Sequence, residues 1–309
     1  MSEKKLIAVV GATGAQGGAV VKALLEDDKY EVRALTRDSN SEKAKTLLSQ
    51  GVKEVVSADL DDTSSMVKAF QDCYGAFVVT NYWADMNVAH EVKQHENAAT
   101  AATQTGLKHV VLSTLEDSRQ FITEEHGFSK LHNDKYYVPH FDGKGEAAEK
   151  FKAQVPTTLL YTTFYYENFF GMGPKKMSDD SPYTLTFPMG QKKLMMVATE
   201  DIGKMVVAAF NDESLINQSL YTASDCLTIS EVATEFEKIM NEKVIYNEVE
   251  PAAYAKFGFP GADDLANMFQ FYTVFESHWM ESRNVDDVKK RITVQPFTEW
   301  LEKNKEAFH

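Results

Sequence analysis

The sequence has little cysteine, a deficit of positive charge and no long hydrophobic run, and each of these absences argues against a class of protein. Two cysteines, Cys73 and Cys226, cannot form a disulfide framework, which indicates a reducing compartment and a cytoplasmic protein. Lys and Arg number 32 against 46 Asp and Glu, a net charge of −14. Nucleic acid and anionic membranes require a positive surface, so neither is an expected partner. No run approaches the ~20 apolar residues that cross a bilayer.

Motifs for metal binding and for hydrolysis are also missing. The stretch HEVKQH resembles the zinc motif H-E-x-x-H, but His90 and His95 are five residues apart. On a helix that spacing turns the two imidazoles ~140° away from each other, so they cannot share a metal. No Cys–His spacing typical of zinc and no G-x-S-x-G elbow occurs. We therefore predict no metal site.

What the sequence does contain is a repeated alternation of short apolar runs and helical patterns. The runs are rich in Val and do not alternate with polar residues, which is typical of parallel strands covered by helices on both faces. Strands are predicted at 6–10, 31–36, 54–57, 75–80, 108–113 and 157–161, and helices at 15–26, 41–50, 63–70, 87–105 and 142–154. This order predicts an α/β fold with a Rossmann-type, doubly wound parallel sheet.

The regular alternation breaks twice, and the breaks suggest how the chain is divided. Residues 116–139 are polar and aperiodic, which predicts a loop or lid with fragments of helix. Beyond the sixth strand, short strands and helices mix without a βα rhythm. We predict a dinucleotide-binding domain at 1–160 and a smaller α/β lobe at 161–309 that forms a cleft, with interleaving of the two left open.

A glycine-rich turn follows the first strand directly. Gly11, Gly14 and Gly17 read G-x-x-G-x-x-G and open a helix, the context in which this motif indicates dinucleotide binding. The first glycine permits a tight turn, the second lets the backbone approach a pyrophosphate, and the third allows close packing. The alternative is an ordinary strand-to-helix turn. The predicted cofactor-binding residues here are Gly11, Ala12, Thr13, Gly14, Ala15, Gln16 and Gly17.

The end of the second strand bears on which dinucleotide is bound. NAD enzymes usually place an acidic residue there to bind the ribose 2′-OH. This chain has Arg37, followed by Asp38. Arginine grips a 2′-phosphate with two hydrogen bonds, so the position favours NADP(H), the alternative being a solvated surface arginine.

Polar residues also close the third and fourth strands. Asp59 can accept a hydrogen bond from an adenine amino group while Leu60 covers the ring. Asp61 and Asp62 have an alternative role as the N-cap of the next helix. The fourth strand ends in Thr80–Tyr82, at the carboxyl edge where ligands bind in such sheets.

Six stretches give the sequence a more specific resemblance. It resembles the NmrA-like family, an atypical branch of the short-chain dehydrogenases, and in particular its NADP(H)-sensing members from animals. The stretches are GATGAQGG (Gly11–Gly18), VTNYW (Val79–Trp83), EVKQ (Glu91–Gln94), HFDGKGE (His140–Glu146), YYENFF (Tyr165–Phe170) and KFGFPGADDLANMFQFY (Lys256–Tyr272). The resemblance implies an NADP(H)-binding Rossmann domain and a smaller C-terminal lobe. It also implies that the ribose and nicotinamide end is lined by Thr80, Asn81, Tyr82, Lys93, Lys144, Tyr165, Tyr166, Glu167 and Asn168.

The usual catalytic pair of a short-chain dehydrogenase, Tyr-x-x-x-Lys, is absent. None of the 13 tyrosines has a lysine four residues later. Lys144 matches the lysine of the pair, but His140 stands at the tyrosine position. If Asp142 caps the helix, His140 lies outside it with no fixed orientation. His140 is therefore a catalytic candidate only if the protein is an enzyme, and otherwise a lid or binding residue.

Two functions remain open. The first is an NADP(H)-binding redox sensor that regulates a protein partner, because the acid/base tyrosine is missing. The second is an NADPH-dependent reductase of quinone-like substrates, for which the aromatic run Phe164–Phe170 would wall a cleft for a small aromatic or quinone-like ligand. That run is equally well explained as core packing.

Overall fold

The computed structural model describes residues 3–176 and 178–308, and they divide into two compact units. The sheet unit comprises the chain up to Asp117 together with His140–Thr162 and Thr199–Tyr221. The lobe unit comprises Ser118–Pro139, Thr163–Ala198 and the chain from Thr222 onward. Each unit therefore takes segments from both sides of residue 160, where the sequence suggested a boundary.

The described residues form strands and helices throughout. The strands are β1 Lys5–Val9, β2 Tyr30–Thr36, β3 Glu54–Ser57, β4 Gly75–Val78, β5 His109–Thr114, β6 Thr157–Tyr161, β7 Phe164–Tyr165, β8 Lys175–Lys176, β9 Tyr183–Phe187, β10 Lys193–Val197, β11 Ser219–Tyr221, β12 Asp225–Thr228 and β13 Val244–Glu248. The helices are α1 Ala15–Glu26, α2 Glu42–Ser49, α3 Thr63–Phe70, α4 Val88–Thr105, α5 Pro139–Lys152, α6 Phe169–Met172, α7 Thr199–Asn211, α8 Ile229–Met240, α9 Pro251–Tyr254, α10 Ala262–Val274, α11 Glu276–Ser282, α12 Val285–Lys289 and α13 Phe297–Lys303.

The sheet unit is built on one seven-stranded sheet in the order β11-β6-β5-β4-β1-β2-β3. Every pairing in it is parallel. Strands β4 and β5 are buried along their whole length, as continuous apolar runs predict. The order reverses between β1 and β4, so the carboxyl ends of these two strands open the crevice in which doubly wound sheets bind ligands. The predicted fold class is confirmed.

The start of α5 differs from the prediction. We expected a helix from Asp142 with that residue as its cap, but the helix begins at Pro139 and Asp142 lies in its first turn, fully buried. Proline suits the first helical position because its fixed φ matches the helix and its missing N–H has no partner to lose. His140 is consequently held inside the helix rather than outside it.

Residues 116–139 contain the expected fragments of helix, as two single 3₁₀ turns at Ser118–Gln120 and Glu124–His126. An isolated antiparallel bridge joins Leu131 to Tyr136. No helix within residues 3–176 and 178–308 has the length and apolar character needed to span a membrane.

The lobe unit has two three-stranded sheets, β12-β10-β7 and β13-β9-β8. Its interior is aromatic. Neighbouring rings have centroids 5.3 to 6.2 Å apart, in tilted and edge-to-face pairs. These rings belong to Phe164, Phe169, Phe187, Phe236, Phe269 and Phe297, all at most 3% exposed. The run Phe164–Phe170 is thus mainly core packing, with only Phe170 at its end strongly exposed.

Candidate functional site

The glycine turn between β1 and α1 has the geometry of an anion-binding loop. Gly11 adopts a left-handed φ of +66°, and its carbonyl accepts a hydrogen bond from the Gly14 N–H at 2.8 Å. A Cβ on Gly17 would lie 2.1 Å from the same carbonyl, so only glycine fits there. The α1 N-terminus has no capping side chain and no acidic residue in its first turn. Its positive dipole end is therefore uncompensated and suited to a phosphate group.

The loop is held over the carboxyl edge of the sheet. The Val10 N–H donates to the Phe77 carbonyl at 3.0 Å, and the Ala12 N–H donates to the Leu35 carbonyl at 3.1 Å. A cavity of about 650 Å³ adjoins the loop between α1 and α2, with Thr13 among its lining residues. The loop is thus fixed to β4 and β2 by backbone hydrogen bonds, and the cavity beside it lies between α1 and α2.

The ends of β2 and β3 lie side by side at the same edge. Arg37 follows β2 and is exposed, while Asp59 and Leu60 follow β3 and are half-buried. The Leu60 carbonyl accepts a hydrogen bond from the Asn97 side chain of α4 at 2.8 Å. The structure thus brings the proposed 2′-phosphate residue and the two adenine residues together.

The two carboxylates after Leu60 have different roles. Asp62 caps α3 by accepting a hydrogen bond from the Ser64 N–H, as the capping alternative predicted. Asp61 does not cap the helix. Its Oδ1 instead lies 2.6 Å from Nε2 of His90 and 3.0 Å from Nε2 of Gln94. The β3–α3 loop is therefore anchored to helix α4 as well as to its own helix.

A buried ionic cluster lies where β4 ends. Thr80 Oγ1 donates to Glu91 Oε1 at 2.7 Å. The Lys144 ammonium donates to Thr80 Oγ1 at 2.8 Å and to the Thr80 carbonyl at 3.2 Å, and it forms an ion pair with Glu91 Oε1. Glu91 is 2% and Lys144 9% exposed. These three contacts match the three N–H groups of the ammonium.

The cluster keeps its charges despite its burial. Burial acts to raise the pKa of Glu91, but the Lys144 charge and hydrogen bonds outweigh it, so the pKa is lowered. His95, one turn further along α4, is different: burial lowers its pKa to about 4, and the imidazole is neutral at pH 7. The cluster is consequently a Lys–Glu ion pair beside a neutral histidine.

His140 stands one helical turn before Lys144 on α5, next to aromatic rings. Its ring centroid lies 6.0 Å from that of Tyr82 and 4.8 Å from that of Trp83. His140 is 6% exposed, whereas Trp83 is 41% exposed. The tyrosine position of the usual pair is therefore occupied by an imidazole packed against an aromatic wall. Asn81, which precedes Tyr82 in the chain, is exposed.

The remaining proposed site residues are Lys93 and Tyr165–Asn168. Lys93 is exposed, because a step of two residues along a helix turns it ~200° away from buried Glu91. Its ammonium pairs with Glu96 at 3.3 Å. Tyr165–Asn168 belong to the lobe unit, where Tyr166 is fully buried and its hydroxyl donates to the Gln295 carbonyl at 3.2 Å. The cofactor roles of these residues stay predictions.

Sequence reasoning did not identify Glu91 or His90 as important. A signal for Glu91 was present, since it and His95 lie on the apolar stripe of α4 with Val88, Ala98 and Ala102. Charged groups on such a stripe are almost never buried without a partner. In the described part of the chain, no group of three or more His, Cys, Asp or Glu side chains is placed to hold a metal ion.

Comparison with known proteins extends these observations. The model of the NmrA-like family matches residues 3–301. The chain is 29% identical to the NmrA-like family domain-containing oxidoreductase FrzB of Cladobotryum sp, over 86% of this chain and 83% of that protein. It is 26% identical to an NmrA-like family domain-containing protein of Dictyostelium discoideum, over 98% of both.

Solved structures with the same fold include a regulator and two reductases. NmrA, a negative transcriptional regulator solved in complex with NADP, superposes with a TM-score of 0.80 at 19% identity, covering 99% of this chain and 98% of that one. Citrobacter sp. triphenylmethane reductase gives 0.75 at 21%, covering 98% and 100%. The NADPH-dependent quinone oxidoreductase of Escherichia coli gives 0.72 at 21%, covering 96% and 98%. At these identities the likeness concerns the fold.

Proposed function

Because the chain belongs to the NmrA-like family, we propose that it binds NADP(H) and acts as a redox sensor that regulates a protein partner. The observation that carries the binding proposal is the glycine cradle, in which a Cβ at Gly17 would meet the Gly11 carbonyl at 2.1 Å. Together with the uncapped α1 N-terminus, this cradle fits a diphosphate. NmrA, which has the same fold, is solved in complex with NADP and in complex with NAD, which supports a nicotinamide dinucleotide as the cofactor.

Each part of the edge has a proposed task. The loop Gly11–Gly17 would hold the diphosphate, and Arg37 the 2′-phosphate. Asp59 and Leu60 would contact adenine, and Thr80–Tyr82 with Lys144 would border the ribose and nicotinamide end. When bound, the cofactor supplies hydride-transfer capacity, while the protein supplies binding and orientation.

The regulatory part of the proposal comes from the Lys144 cluster. In a short-chain dehydrogenase this lysine lowers the pKa of a catalytic tyrosine, but here the position one turn earlier is His140. All three N–H groups of Lys144 are engaged by Thr80 and Glu91. The lysine therefore serves as an anchor between β4 and α5. A sensor further requires that NADPH and NADP⁺ favour two conformations to different degrees.

A second candidate function is an NADPH-dependent reductase of quinone-like substrates. The aromatic wall of Tyr82, Trp83 and His140 favours it, because the exposed Trp83 ring offers a flat apolar surface beside the nicotinamide end. FrzB, named an oxidoreductase, and the two reductases with this fold also support it. His140 would then supply the proton. We also propose a cytoplasmic location, because Cys73 and Cys226 are both free thiols.

Calorimetric titration with NADPH, NADP⁺ and NADH tests the binding proposal. Gly14→Val and Arg37→Glu should each weaken NADPH binding by roughly tenfold or more, since one narrows the cradle and the other reverses the charge facing the 2′-phosphate. Lys175→Glu reverses a charge on the exposed strand β8 of the lobe unit and should leave affinity unchanged. Unchanged NADPH affinity in both Gly14→Val and Arg37→Glu would overturn the cofactor site.

Absorbance at 340 nm with a panel of quinones separates the two functions. The sensor predicts tight NADPH binding without oxidation. Steady NADPH consumption that His140→Ala abolishes, with cofactor affinity intact, would instead establish the reductase.

A further inference from the structure

His90 lies between two carboxylates that come from different loops. Its Nε2 is 2.6 Å from Asp61 Oδ1 in the β3–α3 loop, and its Nδ1 is 2.5 Å from Asp85 Oδ2 in the β4–α4 segment. Gln94, one turn further along α4, donates a second hydrogen bond to Asp61. We call Asp61, Asp85 and His90 the histidine bridge.

The geometry of the histidine bridge determines its charge state. Carboxylates only accept hydrogen bonds, so an imidazole that bonds one through each ring nitrogen must carry a proton on both. His90 is therefore an imidazolium in this arrangement. Its two partners raise the pKa of His90, Asp85 first and then Asp61, through hydrogen bonds and opposite charge. The histidine bridge then carries one net negative charge, and it carries two when His90 is neutral.

Asp61 is also near the residue proposed to recognise the 2′-phosphate. Strands β2 and β3 are paired up to Thr36 and Ser57, so Arg37 and the loop that carries Asp61 emerge next to each other. The end of β3 is also joined to the loop that carries Arg37, because the Ser57 hydroxyl donates to Ser39 Oγ at 2.9 Å. The hydrogen bond from Gln94 contributes most to lowering the pKa of Asp61, and the Arg37 charge contributes as well.

We propose that His90 is a specificity-determining residue, which favours NADP(H) over NAD(H) by neutralising Asp61 beside Arg37. An unneutralised Asp61 would compete with the 2′-phosphate for the Arg37 guanidinium and would repel the phosphate directly. The two cofactors differ only by that phosphate, so a charge effect that acts at the 2′-phosphate appears in NADP(H) binding and leaves NAD(H) binding little changed. The inference rests on the proposed NADP(H) site.

Calorimetry on a small set of variants tests the inference. His90→Gln keeps a polar side chain but removes the charge, and it should weaken NADPH binding roughly two- to fivefold, the range expected of an exposed charge interaction. NADH affinity should not change. His90→Lys restores a positive charge and should restore the preference, and adding Asp61→Asn to His90→Gln should restore it as well. The matched control is His126→Gln in the lobe unit, where the imidazole contacts Thr123.

The pH dependence supplies an independent readout. Within the histidine bridge, the charges that act on His90 are those of Asp61 and Asp85. Arg37 acts on Asp61, and the neighbouring Glu91 is turned into the interior. In the wild type, the ratio of NADPH to NADH affinity should decline as pH rises through the titration of His90. The 2′-phosphate of the cofactor itself titrates near pH 6, so part of the pH dependence comes from the cofactor. The His90→Lys variant keeps its positive charge over this range and therefore shows the cofactor's part alone. The decline should be absent from this variant.

The outcomes separate this inference from the proposed function. Equal loss of NADPH and NADH affinity in His90→Gln would mean that His90 only anchors the loops, and it would overturn the inference while leaving the site intact. An unchanged ratio in His90→Gln would overturn it as well, provided that Arg37→Glu still abolishes the preference. If wild-type protein binds neither cofactor, the proposed function itself fails. Thermal melting of each variant confirms that it is folded.

Discussion

Helix α4 carries two ionic clusters, one buried and one exposed, that start from neighbouring residues. Glu91 faces the interior and pairs with Lys144, with side-chain exposures of 1% and 11%. His90 faces outward and pairs with Asp61 and Asp85, with exposures from 37% to 50%. Both clusters join strand ends or loops at the carboxyl edge of the sheet. They differ chiefly in how much water reaches them.

That difference decides what each cluster can do. Charges removed from water depend on each other, because a lone buried ion has lost its solvation and gained nothing. Exposed charges keep their solvation, so breaking an exposed pair has little effect on folding. The buried cluster therefore fixes the position of β4 against α5. The exposed cluster instead contributes charge that can interact electrostatically with an anion at this edge of the sheet.

The largest expected effect is on the buried cluster. Glu91→Ala leaves Lys144 buried without its counter-charge and should lower the free energy of unfolding by about 3–5 kcal/mol. Denaturant titration measures this loss. Replacing both partners, as Glu91→Leu with Lys144→Met, should recover much of it because no lone charge remains. A Glu91→Ala protein as stable as the wild type would remove the distinction between the two clusters.

A fall in pH should have opposite effects on the stability contributed by His95 in the buried cluster and by His90 in the exposed cluster. Burial lowers the pKa of His95 to about 4 in the folded protein, so the unfolded chain takes up a proton first as pH falls. Stability should decline between pH ~6.5 and ~4, by at most about 1.4 kcal/mol per pH unit for this residue. Buried His109, also lowered to about 4, adds to the same trend. The raised pKa of His90 has the reverse effect, since its contribution is present below pH ~6.5 and is lost as pH rises.

Unfolding curves at several pH values check these signs. His95→Gln should flatten the decline between pH ~6.5 and ~4, and His90→Gln should remove a loss of stability that the wild type shows as pH rises above ~6.5. The same slope in all three proteins would show that neither histidine is linked to folding.

The smallest effect is expected from the exposed cluster. His90→Ala should change the free energy of unfolding by less than about 1 kcal/mol, and the change should shrink in 1 M salt because exposed charges are screened. Unfolding experiments with and without salt measure both quantities. A large, salt-insensitive loss would place His90 with Glu91 as a structural residue.

Local patterns predicted most of the sheet unit. The bounds of α1, α3, β3 and β6 match the sequence predictions because the pattern of apolar residues lies within each segment, and α3 also has its N-cap Asp62 next to it. The conformation of the glycine loop was equally predictable from the sequence, since it depends on adjacent residues. Long helices such as α4 were placed to within one residue, with Asn87 as the N-cap and Gly106 as the C-cap.

What the sequence could not supply were contacts between distant segments. Glu91 and Lys144 are 53 residues apart, and nothing local pairs them. The start of α5 was missed because Asp142 suggested an N-cap, whereas the helix begins three residues earlier, at Pro139. Two glycines of this helix make room for other chain segments: a Cβ on Gly143 would lie 3.0 Å from Glu91 Oε2, and one on Gly145 would lie 2.4 Å from the Asp117 amide nitrogen.

Strand β11 is synthesised well after β6, the strand with which it pairs, and this order affects folding during translation. Strand β6 pairs with β11, and α7 packs on α1, yet β11 and α7 both come from Thr199–Tyr221, after the lobe-unit segment Thr163–Ala198. On the ribosome the apolar edge of β6 therefore emerges before the strand that covers it has been synthesised. Exposed strand edges of this kind recruit other chains. Expression of a fragment that ends before β11 would leave β6 without this partner, so fragments of this protein should extend at least through Tyr221.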